Sequence, residues 1–125
     1  YFRDFFYCDS GMIPWLIIAD LLSNSSNKLS DLVFEQKTQF PSSGERNFSV
    51  PDSSHVLHWI EEKYKKEATE VNREDGLSMF FDNWRFNLRA SNTEPLIRLN
   101  IETQGDKELL EEKIAEMSRE LEGFC

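Results

Sequence analysis

From residue 85 onward the chain alternates apolar and polar positions with a period of two. Phe86, Leu88 and Ala90 interleave with Arg85, Asn87 and Arg89, and Ile97, Leu99 and Ile101 interleave with Arg98, Asn100 and Glu102. Each run predicts a strand with one buried and one wet face. If the two pair as a hairpin with Ala90 opposite Ile97, their apolar faces coincide. That register sets Asn87 beside Asn100 and Arg85 beside Glu102, a charge match that supports it.

Shorter signals place the other elements. Asn47 to Val50 reads as a strand, and Pro51-Asp52-Ser53 opens a helix with Val56, Leu57, Ile60 and Tyr64 on its core face. Glu70 to Asn72 is a short strand, Asp75-Gly76 a hairpin turn, and Leu77 to Phe81 a strand separated from the next by Asp82-Asn83. Asp106 caps a last amphipathic helix with Leu110, Ile114, Met117 and Leu121 on one stripe. The order β-α-β-β-β-β-α predicts an α+β fold: an antiparallel sheet of four to five strands with two helices on one face.

The first part of the chain behaves differently. Residues 1 to about 36 read as helical, with Asp9-Ser10-Gly11 as a start and Pro14 in the first turn. Met12 to Leu22 is apolar nearly all round, and a helix without a polar face is expected to be buried. Asn24-Ser25-Ser26-Asn27 ends it, and a second helix over Leu29 to Gln36 is expected to be capped by Ser30. Phe40-Pro-Ser-Ser-Gly44 is a linker signal. The expected organisation is a helical tail of a preceding domain over 1–36, a linker over 37–44 and a separate domain over 45–125.

Composition narrows the partners. The chain has 125 residues and is 39% hydrophobic, with ten phenylalanines and three tryptophans, enough for a core. A net charge of −9 argues against nucleic acid or an anionic membrane as the main partner. The apolar helix is too short to span a bilayer. Phosphate affinity must therefore come from a local patch. Cys8 and Cys125 lie near opposite ends and form neither a disulfide framework nor a metal spacing. With no basic stretch leading an apolar one, no signal peptide is visible. A piece of a cytoplasmic protein is the expectation.

One loop concentrates chemistry. Arg89-Ala-Ser-Asn-Thr-Glu-Pro95 joins the two alternating strands and packs a guanidinium, two hydroxyls, an amide and free backbone N–H groups together. The proposed register also sets Arg89 opposite Arg98. Like charges directly opposite each other destabilise a sheet, and an anion between them would resolve the conflict. Ser91, Asn92 and Thr93 would complete its coordination. Pro95 fixes the loop's exit, and Glu94 is expected to point away, bonding loop backbone or an arginine. The plainer reading is a polar hairpin loop whose arginines pair with acidic neighbours.

Residues 89 to 98, Arg-Ala-Ser-Asn-Thr-Glu-Pro-Leu-Ile-Arg, resemble the phosphate-binding loop of the α-D-phosphohexomutases, the phosphomannomutases and phosphoglucomutases. The element order after residue 44 is similar to the C-terminal domain of these four-domain enzymes, and Tyr1-Phe-Arg-Asp-Phe with Asp9-Ser-Gly11 is similar to the end of their third domain. The resemblance implies a phosphoryl transfer between the 1- and 6-positions of a hexose, through a phosphoserine and a bisphosphorylated intermediate that reorients. It implies that Arg89, Ser91, Asn92 and Thr93 bind the phosphate that is not being transferred, with Glu94 and Arg98 behind them. It also implies a phosphoserine, an aspartate-rich magnesium loop and a Gly-Glu-x-Ser sugar loop, none of which lies in these 125 residues. No catalytic residue and no metal ligand are therefore expected here, and Mg2+ would belong to the parent enzyme. The implied partners are a mannose or glucose phosphate and the other domains of that enzyme. Ser-Asn-Thr, where the glucosamine-phosphate branch shows Ser-Gly-Thr, points to the mannose/glucose branch.

Other candidates carry less. His55 and His58 have no evident further metal ligands. Glu61-Glu62 and Glu111-Glu112 read as solvated helix faces, and Trp59 and Trp84 as core or half-buried rings. The competing function class is a non-enzymatic module that binds an anion or peptide.

Overall fold

The computed structural model describes residues 1–125 and divides into two compact units, Tyr1–Gln36 and Lys37–Cys125. The first unit holds a short 3-10 turn, Arg3–Phe5, the helix α1, Met12–Ser23, and the start of α2, Leu29–Gln39. Two expectations fail here. No residue of α1 is buried, and Trp15 and Ile17 are 61% and 58% exposed. An all-round apolar helix is buried only where another apolar surface covers it, and Tyr1–Gln36 is too short to build one. Ser30 does not cap α2, because it already lies inside the helix. The Asp31 carboxylate instead accepts from the Lys28 N–H at 3.1 Å, while the Ser30 hydroxyl bonds Asp31 at 3.3 Å.

The second unit contains β1, Arg46–Ser49; α3, Ser53–Tyr64; β2, Glu70–Asn72; β3, Leu77–Phe80; β4, Trp84–Ala90; β5, Leu96–Thr103; and α4, Lys107–Glu122. The five strands form one antiparallel sheet in the order β1-β5-β4-β3-β2. Phe86, Leu88, Ile97, Leu99 and Ile101 point to one face and share a core with Val56, Ile60 and Tyr64 of α3 and Leu110, Met117 and Leu121 of α4. Both helices thus cover the same face, as the alternation predicts. Leu57 and Ile114 are only partly buried at its margin.

Both helix starts follow their capping residues. Asp52 accepts from the His55 N–H at 3.0 Å, and Asp106 accepts from the Leu109 N–H at 2.9 Å. Each cap satisfies a donor that a helix start leaves orphaned. α3 and α4 are joined beneath the sheet where the Tyr64 hydroxyl donates to Glu116 Oε1 at 2.7 Å.

Residues 37–44 contain the last turn of α2 and then run along β5. β1 pairs only with Leu96–Leu99. Beyond it, Ser43 N–H donates to the Ile101 carbonyl at 2.9 Å, Ile101 N–H to Ser43 Oγ at 2.9 Å, and Thr103 N–H to the Pro41 carbonyl at 3.0 Å. This segment satisfies the part of β5 that β1 leaves open.

Candidate functional site

The β4–β5 hairpin has the register read from the alternation. Ala90 faces Ile97, Arg89 faces Arg98, Asn87 faces Asn100 and Arg85 faces Glu102. The last pair forms two short contacts, Arg85 Nε and Nη2 donating to Glu102 Oε2 at 2.9 and 2.7 Å.

Local hydrogen bonds shape the connecting loop. Ser91 N–H donates to the Leu96 carbonyl at 2.9 Å, and Leu96 N–H donates to the Glu94 carbonyl at 2.8 Å, closing a tight turn around Pro95. Ser91 Oγ accepts from the Thr93 N–H at 3.4 Å, and the Pro95 carbonyl accepts from Val50 N–H at 3.1 Å. The backbone N–H groups of Asn92 and Glu94 bond nothing within the chain. Donors left free on an ordered turn form a concavity that favours anions.

Below the loop lies a cleft of about 480 Å³ lined by Arg89, Ser91, Asn92, Thr93 and Arg98 together with Leu57, Asp75, Gly76 and Ala90. The arrangement brings together the four residues expected to bind phosphate and the arginine expected to assist them. Arg98 Nε is buried without a hydrogen-bond partner. A buried, unpaired guanidinium donor is costly.

Glu94 is exposed and does not line the cleft, and its carboxylate bonds neither of the expected partners, loop backbone or an arginine. Its carbonyl, not its carboxylate, is engaged in the Pro95 turn. The arginines find other acids: Arg89 Nη1 lies 3.3 Å from Asp75 Oδ2, and Arg98 Nη1 lies 3.8 Å from Glu45 Oε1. Asp75 is the cleft residue that reading along the chain missed as part of the site. The signal was present: once β3 pairs with β4, Leu77 faces Leu88 and the Asp75-Gly76 turn falls beside Arg89.

The remaining candidates take the plain reading. Trp84 stacks on Phe81 with ring centroids 4.1 Å apart, and Trp59 meets Phe124 edge-on at 5.2 Å. His55 and His58 are exposed, Cys8 and Cys125 are free thiols, and no three His, Cys, Asp or Glu side chains come together as a metal site. No helix is long and apolar enough to cross a membrane.

Residues 45–120 match the model of the phosphoglucomutase/phosphomannomutase C-terminal domain. Phosphohexose mutases of Xanthomonas campestris pv. campestris (strain B100) are 51% identical over 123 residues, covering 98% of this chain and 28% of theirs. The phosphomannomutase of Escherichia coli (strain K12) is 50% identical over 111 residues, covering 89% and 24%. That of Vibrio cholerae serotype O1 is 45% identical over 120 residues, covering 95% and 26%. The chain spans about a quarter of the length of the curated relatives it matches.

Proposed function

The chain belongs to the phosphoglucomutase/phosphomannomutase family through its C-terminal domain, and we propose that it supplies the phosphate grip of a cytoplasmic enzyme interconverting hexose 1-phosphates and hexose 6-phosphates. The observation that carries this reading is the Arg89–Arg98 pair: two like charges facing each other at a cleft rimmed by hydroxyls and free N–H groups.

In this reading the non-transferring phosphate of a mannose or glucose phosphate sits in the cleft. Arg89 makes a bidentate contact. The Ser91 and Thr93 hydroxyls, the Asn92 amide and the free loop N–H groups complete the shell. Arg98 neutralises the ligand from behind, and Glu94 stays outside. Holding one phosphate firmly orients the distant reacting end, so binding energy made here serves the chemical step. The phosphoryl group itself moves through a phosphoserine, and the ligand passes through a bisphosphorylated intermediate that turns round. Magnesium, which the parent enzyme would hold with residues other than these, would supply charge neutralisation at that transfer. The 125-residue chain alone is expected to turn over no mannose 1-phosphate.

Titrating the isotope-labelled chain with mannose 1-phosphate, glucose 1-phosphate and an oligonucleotide tests this. Amide shifts confined to Ser91–Glu94 are expected with the two sugar phosphates and not with the oligonucleotide. Arg89→Ala should remove a charge-assisted contact worth about 2 kcal/mol, which is about thirty-fold in affinity. An unmoved loop with either sugar phosphate, or shifts only with oligonucleotide, would favour the non-enzymatic module instead.

A further inference from the structure

We propose that Asp75 and Glu45 are internal stand-ins for the phosphate: carboxylates that occupy Arg89 and Arg98 in the ligand-free domain and give way when a phosphate ester enters. The inference rests on the phosphate-grip reading above and adds how the grip lets go.

The sheet order places the two acids symmetrically. β3 flanks β4 and β1 flanks β5. Asp75, just before β3, therefore reaches Arg89 on β4 from one side, and Glu45, just before β1, reaches Arg98 on β5 from the other. Each arginine of the like-charged pair thus takes its counter-charge from outside the hairpin.

Both contacts have the character of exchangeable pairs. They are single and long, at 3.3 and 3.8 Å, and the acid side chains are 75% and 50% exposed. The Arg85–Glu102 pair on the same sheet face shows the contrast, with two donors on one oxygen at 2.7 and 2.9 Å. Exposed single contacts are weak, whereas a phosphate offers several oxygens in the fork geometry of a guanidinium. The ester therefore displaces the carboxylate. Asp75 also lines the cleft, so while phosphate is bound its charge remains nearby and opposes the ligand. Entry and exit become anion exchange. The arginines are never left bare, and the ligand is held less tightly than two arginines alone would hold it. A reaction whose ligand must release one phosphate and present the other needs such a site.

The test uses inorganic phosphate at low ionic strength, read by the Ser91–Glu94 amides of the 125-residue chain, with thermal melts in the absence of phosphate. Asp75→Asn should tighten phosphate binding by about three-fold while lowering the ligand-free melting temperature. Glu45→Gln, outside the cleft, should act in the same direction but less. Glu102→Gln makes the same charge change in a structural pair and should lower the melting temperature without tightening binding. Phosphate affinity in Asp75→Asn equal to or weaker than wild type would overturn the proposal and make Asp75 a positioning group for Arg89. Absence of any phosphate effect on the wild-type loop would instead overturn the phosphate-grip reading, and this inference with it.

Discussion

Gly76 lies directly against Arg89: a Cβ added to the glycine would stand 3.0 Å from Arg89 Cα and 2.6 Å from the Leu88 carbonyl oxygen. The glycine is also left-handed, at φ 72°, a conformation costly for residues with a Cβ. The β2–β3 turn can therefore approach the base of the anion site only because that position lacks a side chain.

Gly76→Ala should destabilise the domain by about 2 kcal/mol or more, combining left-handed strain with a backbone clash. It should also weaken phosphate binding, because the clash is relieved by moving β4 at Arg89. Met117→Ala is the control. It opens a cavity in the core, at a cost of about 2–5 kcal/mol, lines no part of the cleft, and should leave phosphate affinity unchanged. Urea melts paired with loop-amide titrations separate the two effects.

Arg98→Met keeps the aliphatic stem while removing the like charge opposite Arg89 and the unpartnered Nε. The ligand-free domain should gain about 1 kcal/mol, and phosphate affinity should fall by less than in Arg89→Ala. Melting curves with and without phosphate measure both. A lower phosphate-free melting temperature would mean that the 3.8 Å pair with Glu45 is structural.

The contact between α3 and α4 sets a pH dependence at both extremes. Burial pushes the Glu116 carboxyl up, but hydrogen bonds from Lys113 and Tyr64 more than offset this and hold it below its usual 4.5. A lowered folded-state value means stability that is complete above 4.5 and lost as the pH falls through the folded-state value. Burial, followed by the bond to Glu116, raises the Tyr64 hydroxyl well above its usual 10.0. That contribution is complete below 10.0 and is lost as the pH rises past it. Tyr64→Phe should therefore flatten the alkaline limb and cost about 1–2 kcal/mol at neutral pH, while Glu116→Gln flattens the acid limb. Urea midpoints between about pH 3 and pH 11 report both.

Which positions alternate and which face of each strand turns inward are local properties, and the sequence alone determined them here, as it did the Asp52 and Asp106 caps but not the start of α2. The Ala90–Ile97 register followed from matching two apolar faces, and the Arg85–Glu102 charge match agreed with it. The same register placed two arginines opposite each other below a loop of phosphate-binding groups. Tertiary structure decided what answers those arginines. Glu94, four residues past the end of β4, looked like a partner, but the turn around Pro95 engages its carbonyl and leaves its carboxylate outside the cleft. Asp75 and Glu45 took that place because β3 and β1 flank the hairpin, a non-local pairing that no short-range periodicity encodes. The same division explains α1. Its composition specified an apolar helix, but whether that surface is covered depends on what packs against it, and burial is a property of contacts between segments.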